Sequence, residues 1–153
     1  MYLAIVILLM FVLPVVSMSL EHLHSSGAVS WAMLAGKWFV FWSAGLRLLI
    51  AGLRQCLQPK FTAVAIFRMK TEEALPIIRE LGIGNFAIGV GGVASLWIPG
   101  FIAPVALIAA VFYGFASAFH VAAKTRSTNE NIAMVSDLWV AAVLAAYLIN
   151  LRA

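Results

Sequence analysis

Charge is what this chain has least of. Only 10% of its 153 residues are Asp, Glu, Lys or Arg, where a soluble domain averages about a quarter. Some 64% are hydrophobic and the mean hydropathy is +1.04, leaving too little polar side chain to solvate a water-facing surface. A soluble fold is therefore excluded as an expectation. Cysteine is nearly absent: Cys56 stands alone, which rules out an internal disulfide and any multi-cysteine zinc or iron–sulfur centre. Histidine is scarce too. His22 and His24 are two apart, so a helix points them in different directions, and with Glu21 they offer a weak ion site at most. His120 has no second histidine at bundle depth, which argues against bis-histidine haem. No metal site and no bound cofactor is expected on these grounds.

Other absences narrow the function. The net charge is +4, yet no dense basic run with interleaved aromatics suggests nucleic acid. No serine or cysteine nucleophile motif, Walker loop or zinc-protease helix is present. The run Gly82-Ile83-Gly84-Asn85 follows no strand and lies in an apolar stretch, so it is not a dinucleotide loop. The two halves of the chain show no internal repeat of the kind many transporters carry.

What remains is five apolar stretches, at residues 1–20, 28–53, 77–97, 101–123 and 132–151, in one domain spanning 1–153. A bilayer crossing takes ~20 apolar residues, so the expected fold is an all-α integral membrane protein, a compact bundle of five transmembrane helices. Pro14 should kink the first helix. Ser17 and Ser19 would suit a signal-peptidase site, but Met-Tyr-Leu-Ala lacks the positive start of a signal, which favours a retained helix. Residues 54–76 form the one substantial loop. There Phe61, Val64, Ile66 and Phe67 alternate with Lys60, Arg68 and Lys70, the pattern of a short helix lying in the membrane interface.

Lys and Arg accumulate in cytoplasmic loops. Arg54, Lys60, Arg68, Lys70 and Arg79 surround the second loop, and Lys124 and Arg126 occupy the fourth, while the other two loops have none. This alternation places the N-terminus in the cytoplasm and the C-terminus, with Arg152, outside a bacterial inner membrane. Small residues allow close helix approach in lipid. Candidate stripes are Ala87, Gly91 and Ser95, with Gly84, Gly89 and Gly92 nearby; Ala110, Gly114, Ala118 and Ala122; and Ala142 with Ala146.

Polar residues inside spans cost roughly 3 kcal/mol each on insertion scales unless paired or hydrated, so they mark structure or function. Arg47 lies six residues in from Leu53 and Asp137 five in from Ile132, or ~9 and ~8 Å at the helical rise. Glu80, Asn85 and His120 fall at similar depth, giving five polar groups from four helices in one layer near the basic end. Two readings stay open. One is a structural knot in which a carboxylate neutralises Arg47. The other is a polar pocket in which Arg47 holds an anionic or carbonyl group while His120, with Asp137 or Glu80, moves a proton. By helical spacing Tyr113, Ala116 and Ser117 share the His120 face. Nearer the other end, Lys37 could snorkel or meet Glu21, and Trp38 with Trp42 share a face that could line a quinone or lipid groove.

The run Arg47-Leu48-Leu49-Ile50-Ala51-Gly52-Leu53, then Gln55, Pro59-Lys60-Phe61-Thr62-Ala63, Glu80-Leu81-Gly82-Ile83-Gly84-Asn85 and a late His120 resembles the small bacterial multispanning proteins related to DoxX, over residues 37–151. That resemblance implies a four-helix membrane core, to which this chain adds an N-terminal helix. It implies no catalytic residues; some relatives are linked to quinone-dependent sulfur oxidation or membrane redox complexes. Three functions follow as expectations. The first is a non-enzymatic accessory protein supporting a membrane assembly, with a membrane-protein partner or a homo-oligomer. The second is a small-molecule or ion carrier using the polar layer, and the third a quinone-interacting oxidoreductase subunit.

Overall fold

The computed structural model describes residues 2–66, 69, 72–123 and 126–151, residues 65 and 66 by backbone alone. Among them helix is the regular structure and no strand occurs, with five helices long and apolar enough to cross a membrane: α1, Tyr2–His24; α2, Trp31–Leu57; α3, Leu75–Ala94; α4, Pro99–Ala122; and α5, Thr128–Asn150. Successive helices run antiparallel. The core is formed where α1, α2, α4 and α5 meet, around Val6, Met10, Phe39, Val40, Tyr113, Val140 and Leu144.

The helices start and stop where local chemistry allows, not where hydropathy changes. α1 runs past Leu20 to His24 because the Glu21 side chain is neutralised rather than solvated: it accepts from Lys37 Nζ at 2.7 Å and from Trp38 Nε1 at 2.7 Å. Ser30 caps α2 by accepting from the Met33 N–H, so that helix begins three residues later than residue 28. It continues to Leu57, beyond residue 53, until Pro59 two residues on prevents further winding. α5 begins at Thr128 instead of Ile132 through a capping box: the Ser127 hydroxyl accepts from the Glu130 N–H, and the Glu130 carboxylate accepts from the Ser127 N–H. Arg126 closes the turn before it, donating to the His120, Val121 and Ala123 carbonyls at the end of α4.

In the second loop, residues 59–66 are helical, the last five with π geometry. Phe67, Arg68 and Lys70 of the expected interfacial helix, and Lys124 and Arg152 of the charge pattern, lie outside the described residues. Lys60 pairs with Glu72. The hydrogen bond from Lys60, and then its charge, hold the Glu72 carboxyl below the usual carboxylate range.

α2 and α3 meet through backbone. A Cβ added at Gly52 would lie 2.4 Å from the Phe86 nitrogen, at Gly89 2.4 Å from the Leu49 nitrogen, and at Gly92 2.5 Å from the Gly45 Cα. The seam on α3 is Ile78, Gly82, Asn85, Gly89, Gly92 and the adjoining Ser95, all buried. This corrects the expected stripes. Ala87 is exposed and Gly84 faces open space. On α4 the buried face is Val105, Ala106, Ala109, Tyr113 and Ser117, so Ala118 and Ala122 are exposed and Gly114 opens outward. Ala142 and Ala146 of α5 are likewise exposed. Four-residue spacing finds a face of small residues, but these helices have several, and the partner decides which is covered.

Candidate functional site: a polar cavity beside two helical bulges

The site is built by two departures from α geometry. In α1, residues Leu8–Val12 form a π-helical bulge, and the Leu13 N–H bonds the Leu8 carbonyl five residues back. The Leu9 carbonyl, its ordinary partner, is thereby released, and the Ser43 hydroxyl donates to it at 3.2 Å. In α2, residues Val40–Leu46 form a second bulge, where the Arg47 N–H reaches Trp42 and releases the Ser43 carbonyl. The Tyr113 hydroxyl donates there at 2.7 Å. A buried chain thus runs Tyr113 to Ser43 to Leu9, tying α4, α2 and α1. Pro14 adds a third vacancy, since it has no N–H for the Met10 carbonyl four residues back. The Trp139 indole of α5 donates to that carbonyl at 3.2 Å.

Immediately beyond the second bulge lies a cavity of about 470 Å³, bounded by α2, α3, α4 and α5. Its polar lining is Arg47, Gln55, Asn85, Tyr113, His120, Glu130 and Asp137, set among Leu48, Ala51, Leu81, Phe112, Ala116 and Phe119. Four of the five residues singled out in sequence, Arg47, Asn85, His120 and Asp137, therefore face one space. Three of them sit deeper than expected because α2, α3 and α5 are longer, while His120 stays two residues from the end of α4. Arg47 is ten residues from the end of α2, Asn85 ten from the start of α3 and Asp137 nine from the start of α5, or ~14–15 Å at the helical rise. That is about half of a ~30 Å hydrocarbon layer.

Glu80 is the correction. It is exposed and lines neither this cavity nor the smaller one beside it. Depth along α3 put it in the layer, but it lies five residues from Asn85, ~140° around the helix at 100° per residue, and faces away. Gln55 and Glu130 take the polar positions instead. Gln55 is buried, and its Oε1 accepts from Asn85 Nδ2 at 2.8 Å. Its place eight residues, about two turns, beyond Arg47 on α2 was the available signal.

The electrostatics are unusual for a bundle interior. Among the described residues the ion pairs are Lys37–Glu21 and Lys60–Glu72, so Arg47 is not closed in a salt bridge with Asp137 or Glu80. Arg47 Nε and Asn85 Oδ1 are buried without a hydrogen-bond partner. The simple knot, with a carboxylate clamped to the guanidinium, is not what the geometry contains.

Trp38 and Trp42 are half-buried and committed to α1. Trp38 donates to Glu21 and Trp42 Nε1 donates to Ser17 Oγ at 3.0 Å, and neither lines the polar cavity. Lys37 meets Glu21 through both carboxylate oxygens. His22 stacks on Trp31 with ring centroids 4.0 Å apart, its Nδ1 3.1 Å from the Val29 carbonyl. These contacts fasten α1 to α2 at the end remote from the cavity.

A family model of unknown function, DUF6790, matches residues 3–153. The chain belongs to this family. The DUF6790 match covers all five helices except Tyr2 and every residue of the larger cavity. No curated protein and no solved structure matches the chain.

Proposed function

We propose that this DUF6790 protein is a multi-pass protein of the bacterial inner membrane, N-terminus in the cytoplasm, that carries a small polar molecule or ion through the Arg47 cavity. One observation carries the reading: Arg47 Nε and Asn85 Oδ1, a buried donor and a buried acceptor, both lack partners and line the same space. Each unmade buried hydrogen bond costs ~1–3 kcal/mol. A guest offering an acceptor to Arg47 and a donor to Asn85 recovers that cost. His120, Asp137 and Glu130 add groups able to exchange a proton with the guest.

Proteoliposomes test it. Vesicles carrying a trapped pH-sensitive dye are given gradients of small carboxylates and inorganic anions. The wild-type protein should dissipate at least one gradient faster than protein-free vesicles, and Arg47→Gln and Asp137→Asn should return the rate to background. Background flux from the wild type, or full flux from both variants, overturns the carrier reading.

A second reading, an accessory subunit of a larger membrane assembly, draws support from the outer face of α4 and α5. An apolar groove of about 990 Å³ there is lined by Ala103, Leu107, Ala110, Ala145 and Leu148 among others, and Gly114 on α4 opens outward. Gentle detergent extraction should then yield a stable complex, and a homogeneous monomer would count against it. The likeness to DoxX-related proteins belongs with this proposal, the four helices α2–α5 standing for the core and α1 for the addition.

A further inference from the structure

Beside the polar cavity, where α1 and residues 61–62 meet α2, lies a smaller one of about 130 Å³. A single water needs only roughly 10–15 Å³ of such space, so there is room for a compact oxyanion. Two arginines line it, Arg47 and Arg54, with Gln55, Thr62 and Tyr2 completing the polar wall. No carboxylate lines it; Asp137 and Glu130 face the larger cavity alone.

The arginines are seven residues apart, two turns on one face of α2, so their Cα atoms stand ~10 Å apart. Arg54 is stacked on an aromatic face, and Arg47 stands near one. The Arg54 guanidinium carbon lies 3.4 Å from the Phe61 ring centroid and that of Arg47 lies 5.7 Å from the Tyr2 ring. Stacking fixes the plane of a guanidinium and leaves its in-plane N–H donors free, the arrangement that suits bidentate recognition of phosphate. Two other described cations at this end have their donors committed, and Arg79 is exposed. Lys60 is paired with Glu72, and Arg126 spends its donors on the α4 carbonyls and Asn131. Among the described residues neither Arg47 nor Arg54 forms an ion pair, and Arg47 Nε has no hydrogen-bond partner. Carboxylates accompany Arg47 only in the larger cavity, where Asp137 and Glu130 share its lining; on this side the two half-buried guanidiniums face each other, and an anion between them relieves their repulsion. Residues 59–66 bring Phe61 and Thr62 over the site.

We infer that Arg47 and Arg54 form a phosphate-binding site at the basic end of the bundle, which takes the phosphate of a lipid headgroup or of a soluble phosphate. The site shares Arg47, Ala51 and Gln55 with the larger cavity but does not rest on the carrier reading. Arg54, Phe61 and Thr62 belong to it alone.

The experiment uses the full chain in two arms. In the first, detergent-solubilised protein is titrated with inorganic phosphate in a chloride background, by calorimetry. In the second, protein is taken from nanodiscs of phosphatidylcholine with phosphatidylglycerol, and native mass spectrometry counts the lipid retained. Saturable phosphate binding assigns a soluble phosphate; selective retention of phosphatidylglycerol assigns a lipid headgroup. In whichever arm responds, Arg54→Gln should weaken binding by about tenfold or more, as loss of a charge-assisted pair does, and Phe61→Leu should weaken it less. Circular dichroism and gel filtration show whether each variant folds, and Phe61→Leu, which keeps both charges, serves if Arg54→Gln does not. No preference for phosphate over chloride or for phosphatidylglycerol over phosphatidylcholine overturns the site, as does binding unchanged in Arg54→Gln. Flux through Asp137→Asn tests the carrier separately, so either can fail alone.

Discussion

The Tyr113 hydroxyl donates to the Ser43 carbonyl at 2.7 Å, and that carbonyl is available only because the Arg47 N–H reaches past it to Trp42. A π-bulge thus creates an acceptor in one helix and a phenol from another fills it. Interhelical hydrogen bonds in membranes average ~0.6 kcal/mol and reach ~1.7. Since both groups are buried, Tyr113→Phe should cost near the upper figure, about 1.5 kcal/mol, read from unfolding in mixed micelles. A loss below the average would show that the carbonyl finds another donor.

The Trp139–Met10 bond makes a sharper prediction, because its cause is Pro14. Trp139→Phe should cost about 1 kcal/mol in the parent. In a Pro14→Ala background the backbone supplies the missing N–H, so the same change should cost clearly less. Equal costs in both backgrounds would mean that the indole contributes by packing alone.

Glycines on these helices should divide by sign. Gly52→Ala and Gly89→Ala each place a methyl 2.4 Å from backbone on the facing helix, which must push α2 from α3 and cost ~1–3 kcal/mol or more. Gly84→Ala and Gly114→Ala meet nothing within 4 Å and should stabilise by up to ~1 kcal/mol through helix propensity. The same unfolding assay ranks all four.

Glu21 accepts three hydrogen bonds, two from Lys37 and one from Trp38. Lys37→Met and Glu21→Gln should each destabilise, and the double variant should recover part of the loss. A coupling of roughly 0.5–1 kcal/mol is expected for so partly exposed a pair. Additive losses would show that the two side chains act independently.

Hydropathy alone carried the number of long helices, because an apolar stretch of that length has few other uses. Depth arithmetic carried Arg47, Asn85, His120 and Asp137 to one cavity, since polar groups tolerated inside a bundle gather where they can be satisfied. It failed for Glu80, where distance along the axis says nothing about angle around it. The bulges were beyond reach: each is stabilised by a distant side chain, Ser43 in one and Tyr113 in the other, and neither helix announces it. Trp139 was likewise invisible as a partner of Pro14, 125 positions away. The small-residue seam was half legible, with Gly89, Gly92 and Ser95 on it and Ala87 off it.

The bulge at Val40–Leu46 also sets the phase of α2. One extra residue in a turn rotates everything beyond it by ~100° relative to a regular helix. Before the bulge, Gly36 lies against the Tyr147 ring of α5; in its last turn Gly45, and beyond it Gly52, lie against α3. A single helix therefore addresses two different neighbours along its length. Deleting one residue between positions 40 and 46 would give a more regular helix and a less coherent protein, with Arg47 swung out of its cavity and the glycines out of register with α3.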